Sequence, residues 1–145
     1  MAERVGNQSV VVVMNVRKKL FGNKYEIWTH NGTKNTGMNP VDFAIEMEKL
    51  GAGEIVINSI DSDGVMKGYD LNLIQKVRDV VNIPMTIMGG AGSLEDIGTV
   101  IKQHGIIGAA AGSLFVFKGK YRAVLISYPN KVEKGDLIIS NFLDQ

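Results

Sequence analysis

What most constrains the fold is a regular alternation. Short apolar runs take turns with amphipathic stretches that open on a capping residue and close on glycine. Ser9 to Val16 (SVVVVMNV) is rich in β-branched residues with little alternation, the pattern of a strand buried on both faces of a parallel sheet. Tyr25 to His30 reads as a short second strand across a turn at Gly22-Asn23, and Asn31 to Asn39 as a loop rich in turn formers. Asn39-Pro40 opens a helix to about Leu50, with Asn as N-cap, Pro at the first helical position and Gly51 as terminator. Glu54 to Ile60 is the next strand and Asp61 to Tyr69 a loop. Asp70 caps a helix reaching about Val81, with Leu71, Ile74, Val77 and Val80 on one face. Pro84 introduces the strand Met85 to Met88, which runs into Gly89-Gly90-Ala91-Gly92. Ser93 caps a helix from Leu94 to about Gln103 that Gly105 ends, and Ile106 to Ala111 is a last short strand leading into Gly112-Ser113.

Such β-α alternation with short connections implies parallel strands joined by right-handed crossovers. The helix ends Leu50-Gly51 and His104-Gly105 lie 54 residues apart. That is two βα units of about 27 residues each, close to the unit of a (β/α)8 barrel of ~250 residues. The predicted fold is therefore α/β, half of a (β/α)8 (TIM) barrel, with about four parallel βα units in residues 1–117. Four strands cannot close a barrel, so either the chain is a fragment of a longer barrel or two copies associate, as a dimer of half-barrels, to cover their open edges. Residues 118–145 form a less legible tail. There Leu114 to Lys120 reads as short helix or loop, Tyr121 to Tyr128 as strand, and Asp136 to Gln145 as partly disordered.

Composition narrows the function classes. A net charge of +1 with scattered Lys and Arg gives no footprint for nucleic acid, and the run Arg17-Lys18-Lys19 reads as a solvated loop. With no cysteine, disulfides, thiolate nucleophiles and thiolate metal sites are excluded. No apolar leader and no segment of ~18 apolar residues is present. The expectation is a cytoplasmic protein without membrane contact, metal or cofactor.

Two glycine clusters, Gly89-Gly90-Ala91-Gly92 and Ala111-Gly112-Ser113, follow consecutive strands. In β/α barrels the site is built at that end, and the loops after the last two strands commonly hold phosphate. Glycines let backbone N–H groups approach an anion, a following helix start adds positive potential, and Ser113 offers a hydroxyl. The competing reading is that these glycines only make tight turns. Asp61 and Asp63 lie just past a strand end, where a carboxylate can act as general acid or base or simply form an Asx-turn. Asn15 and Asn58 sit near strand ends, lining the pocket or making a buried hydrogen bond. His30 and His104 fit no ligand pattern, and Trp28 reads as edge-strand packing.

GAGEIVINSIDSDGVMKGYD (51–70), IPMTIMGGAGSLEDI (83–97) and GAAAGSLF (108–115) closely resemble the cyclase subunit of imidazole glycerol phosphate synthase. THNGTKNTG (29–37) and QSVVVVMNV (8–16) also match, so the likeness runs from about Gly6 to Phe117 and corresponds to strands five to eight of that barrel. The resemblance implies a partner glutaminase whose ammonia passes through the barrel to a bisphosphorylated ribulosyl intermediate. The products it implies are imidazole glycerol phosphate and an aminoimidazole carboxamide ribotide. It places catalytic positions at Asn15 and Asp63, one substrate-phosphate site at Gly89, Gly90, Gly112 and Ser113, and pocket positions at Asn58 and Gly64. At position 15 the family carries a catalytic aspartate, and Asn cannot take up a proton as a carboxylate does. Met88 stands where many cyclases have a pocket serine, and the tail YRAVLISYPN departs from the usual final helix. These departures resemble a paralogous branch linked to amidination of surface-polysaccharide sugars. Three readings thus stand: an ammonia-using cyclase subunit or its amidinating paralogue, a non-catalytic phosphate-binding half-barrel, and a dimerising structural half.

Overall fold

The computed structural model describes residues 6, 9–22, 24–105, 107–118 and 121–143. The valine run forms strand β1 (Val11–Lys18), and β2 (Tyr25–Thr29) returns antiparallel beside it. A two-residue β3 (Lys34–Asn35) follows within the predicted loop. Helix α1 (Pro40–Lys49) leads to β4 (Glu54–Ser59), α2 (Leu71–Arg78) to β5 (Met85–Met88), and α3 (Leu94–His104) to β6 (Gly108–Ala109). The sheet order is β3-β2-β1-β4-β5-β6, with β1, β4, β5 and β6 parallel. This is an α/β fold built on a parallel sheet, as the alternation predicted.

The basic run is not a loop at its start. Arg17 and Lys18 belong to β1 because the β2 hairpin continues to pair with them, Arg17 against Glu26 and Lys18 against Tyr25. The Lys19 ammonium then pairs with the Glu26 carboxylate, which with the Asn35 amide holds that acid below its usual carboxylate range. The turn residue Asn23 and the strand residue Ile106 lie outside the described residues.

Each helix starts where its cap dictates. Asn39 Oδ1 accepts from the Val41 amide at 2.9 Å, and Asp70 Oδ1 accepts from the Leu73 amide at 3.0 Å. Ser93 Oγ accepts from Asp96 N at 3.2 Å while Asp96 Oδ2 takes the Ser93 amide at 3.0 Å, a reciprocal capping box. Gly51 and Gly105 close α1 and α3 in the left-handed φ region (87° and 69°), which suits glycine.

One face of the sheet is core. Met14, Val16, Ile55, Ile57, Met85 and Ile87 alternate along their strands onto one side and pack with Ala44, Leu73, Ile74, Val77 and Val100 of the helices. The other face is open. Val11 and Val13 are 50% and 57% exposed, so β1 is not buried on both faces as its composition suggested.

The tail holds more structure than its sequence suggested. Residues 113–116 make one short helical turn, α4 (Ser113–Val116), and β7 (Phe117–Lys118) pairs with β8 (Ala123–Val124) in a small hairpin. Helix α5 (Lys131–Ile138) follows, capped by Asn130 and Glu133, and a π-turn covers Ile139–Leu143. Only residues 123–124 of the predicted strand 121–128 are strand, and much of 136–143 is helical rather than irregular. Among the described residues no helix is long and apolar enough to cross a membrane.

Candidate functional site

The C-terminal ends of β1, β4, β5 and β6 open onto a common rim, because parallel strands deliver their following loops to the same edge. Asn15 and Asn58 stand side by side on the open face, in register across β1 and β4. Asn58 Nδ2 donates to Asn15 Oδ1 at 2.9 Å. Asn58 Oδ1 is buried without a partner, beneath the turn at Gly89. The hydrogen bond expected of this pair is therefore present, with one acceptor left over beside the rim. Met88 is the next residue across, in register with Asn58 and 37% exposed.

The two aspartates after β4 part company. Asp61 is engaged by the protein: its Oδ2 accepts from the Lys18 amide at 2.8 Å, and Oδ1 lies 3.1 Å from Arg17 Nε. That nitrogen makes no well-aligned hydrogen bond, so the pair is a Coulombic contact. The Arg17 guanidinium also lies 4.6 Å above the Trp28 ring. Trp28 thus supports a cation on β1, and the edge of the sheet is β3 rather than β2. The Asp63 amide closes a turn onto Ser59 O at 3.0 Å, while its carboxylate is exposed and takes no hydrogen bond within the described residues.

The glycines divide by what surrounds them. A Cβ at Gly90 would stand 2.2 Å from Gly68 O, and one at Gly92 would stand 2.3 Å from Met66 O. The turn after β5 and the loop after β4 press backbone against backbone, fastened by Gly68 N donating to Gly90 O at 2.9 Å. The Gly92 and Ser93 amides, at the start of α3, already donate to Asp96 Oδ2 at 2.9 and 3.0 Å. The positive end of α3 is therefore matched by the protein's own carboxylate, and the expected contribution of that helix start to an external anion falls away. Gly112 is different. Nothing lies within 4 Å of its Cβ position and its φ is −102°, so neither packing nor backbone geometry asks for glycine there. Its open side lies at the rim beside Ser113, whose Oγ is 4.0 Å from the Cβ position of Gly64.

Sequence reasoning missed one side chain that reaches the rim. Arg122, in the β7–β8 turn, reaches back so that its Nη2 donates to Gly64 O at 3.1 Å. No motif announces it, since its placement depends on how the tail folds over the rim. Buried Tyr69 also reaches across, donating from its hydroxyl to Ala110 O at 2.9 Å and tying the β4 loop to the end of β6. Desolvation, with the Asp96 charge second, pushes its phenol up to about 12.

The sequence profile of a family described as "Histidine biosynthesis protein" matches residues 1–122. A Vibrio vulnificus protein, provisionally named as an imidazole glycerol phosphate synthase subunit, is 54% identical over 134 residues, covering 92% of this chain and 52% of that protein. A Pseudomonas aeruginosa protein with the same kind of provisional name is 43% identical over 136 residues, 92% of this chain and 54% of that protein. The imidazole glycerol phosphate synthase subunit HisF of Hyphomonas neptunium is 44% identical over 116 residues, 80% of this chain and 45% of that subunit. The chain spans about half the length of these curated relatives. Matches as long as the first two necessarily enter residues 118–145, whereas the third need not.

Proposed function

The chain belongs to the histidine biosynthesis protein family, and on that premise we propose that it forms the C-terminal half of a cyclase-like barrel that grips a phosphorylated sugar or nucleotide substrate. In this reading Gly89, Gly90, Gly112 and Ser113 hold one phosphate, Asn58 and Gly64 line the pocket, and Asp63 is the carboxylate that acts on the substrate. Ammonia comes from a glutaminase subunit in a cytoplasmic complex, and the residues before β1 in the longer relatives supply the other four βα units. The observation that carries the reading is the rim at Gly112-Ser113, a glycine that packing does not require beside a serine hydroxyl.

The test is a titration of the isotope-labelled chain with ribose 5-phosphate, followed at the backbone amides. Saturable shifts centred on Gly89, Gly90, Gly112 and Ser113 are expected, with ribose giving none. Absence of saturable shifts there refutes the phosphate grip.

One observation favours the amidinating branch over the histidine-pathway reaction: Asn15 makes a neutral amide pair with Asn58, where the family uses an aspartate. Turnover of the bisphosphorylated ribulosyl substrate with ammonium, by a complete barrel with or without the substitution Asn15→Asp, separates the branches. The amidinating reading expects cyclisation only from the Asn15→Asp variant. Efficient cyclisation with Asn15 in place supports the histidine pathway instead.

The open sheet face carries exposed Val11, Val13 and Met88 beside Asn15, Val56 and Thr86. In this reading the missing half covers that face, and a second copy of the chain covers it when the half stands alone.

A further inference from the structure

We propose that Arg122 is a second, tail-borne grip on the substrate's phosphate monoester. This rests on the phosphate-site reading above and adds to it a residue from outside the barrel units. Three observations place the guanidinium. Nη2 donates to Gly64 O at 3.1 Å, and the same Gly64 stands against Ser113 Oγ across the rim. The guanidinium carbon lies 4.7 Å above the Phe117 ring, which fixes its plane from behind. The hairpin that carries it is pinned by Leu125 N to Val116 O (2.9 Å), Ser127 N to Phe115 O (2.8 Å) and the Phe115–Tyr128 ring contact at 5.1 Å.

What remains is an unbalanced charge at a defined place. Among the described residues no carboxylate forms an ion pair with Arg122, and Asp63, next to Gly64, is not one. One of the five guanidinium N–H donors is used on Gly64, so a bidentate face is left for a tetrahedral oxyanion. Arg122 itself sits at φ 49°, a backbone region that glycine or asparagine fills at lower cost. An arginine held there against its backbone preference, with its charge unanswered, fits a ligand role better than a hairpin staple. Gly112, the neighbour of Ser113 in the chain, leaves its Cβ position open to space rather than filled by packing. A phosphate seated there meets the Ser113 hydroxyl on one side and the guanidinium on the other.

The experiment is the amide-detected titration at fixed ionic strength, with inorganic phosphate, ribose 5-phosphate and ribose as separate arms. Wild type, Arg122→Gln and Arg122→Lys are compared, with thermal melting of each. Arg122→Gln is expected to weaken both phosphate-bearing ligands about tenfold or more, since a charge-assisted contact is lost. Arg122→Lys should recover part of that affinity, and ribose should bind to none of the three. Binding by inorganic phosphate as tight as by ribose 5-phosphate assigns the grip to the anion alone, and tighter ribose 5-phosphate binding assigns the monoester, both in support. Wild-type saturation at the rim with unchanged affinity in a folded Arg122→Gln overturns the role of Arg122 and leaves the glycine site standing. No saturation in wild type overturns both. If Arg122→Gln melts before it can be titrated, the folded Arg122→Lys decides, and affinity equal to wild type with inorganic phosphate and ribose 5-phosphate alike overturns the bidentate grip.

Discussion

At the scale of single residues, the rim is held by a few polar contacts of unequal worth. Tyr69→Phe removes the bond to Ala110 O and leaves that carbonyl with one partner fewer. A stability loss of about 1 kcal/mol is expected in urea unfolding at neutral pH. The same variant carries a pH signature. The folded-state phenol titrates at about 12 against 10.0 in the unfolded chain. The folded state therefore binds more protons between those values, and wild-type stability falls as pH rises from 10 towards 12. Tyr69→Phe should make that fall shallower without abolishing it, because the Tyr25 phenol is raised as well, by burial and then by its bond to Asp70. An equally steep fall in the variant would assign it to other groups. Asp61→Asn tests the opposite case. Arg17 and Asp61 are 36% and 44% exposed, so solvent screens the pair and its loss should cost no more than about 1 kcal/mol. The competition between Asp61 and Asp63 could not be resolved from DSDG alone, because both fit the loop. Only the Lys18 amide, 43 positions away, shows which is committed to structure.

At the scale of elements, capping residues and glycines carried most of the legible information. Asn39, Asp70 and Ser93 cap the helices they were expected to cap, because a side-chain acceptor at a helix start acts locally. The same signal, Asn130 with Glu133 three residues on, is easily passed over as merely polar, and it opens α5. The β7–β8 hairpin was illegible for a different reason: it is held by backbone bonds to Phe115 and Val116 and by the Phe115–Tyr128 ring contact rather than by strand pattern. The glycine-rich turns were legible as turns but not as two different kinds. Gly90→Ala, at φ 120° with its Cβ 2.2 Å from Gly68 O, should lose about 2–4 kcal/mol in denaturant unfolding. Gly112→Ala should change stability by less than about 0.5 kcal/mol, since its Cβ meets nothing. It should nonetheless weaken ribose 5-phosphate in the amide titration. A strongly destabilised Gly112→Ala would mean that packing requires the glycine after all.

At the scale of the whole molecule, the alternating pattern predicted the parallel order of β1, β4, β5 and β6 but not which faces would be covered. A valine run reads as doubly buried whether or not its second layer belongs to the same chain, so the exposure of Val11 and Val13 was invisible in the sequence. That exposure is a physical load, and association through the open face is expected. Light scattering at micromolar concentration should give about twice the mass of one chain, and Val13→Glu should shift the population towards monomer. A folded monomer in the wild type would contradict the covering role of a second copy. On the proposed reading, this chain carries half of a cyclase-like site, with one phosphate grip and no carboxylate at position 15. The most direct measurement is turnover of the bisphosphorylated ribulosyl substrate with saturating ammonium by the 145-residue chain alone. The expected result is no product above the protein-free blank, and clear cyclase turnover by this chain would contradict the account.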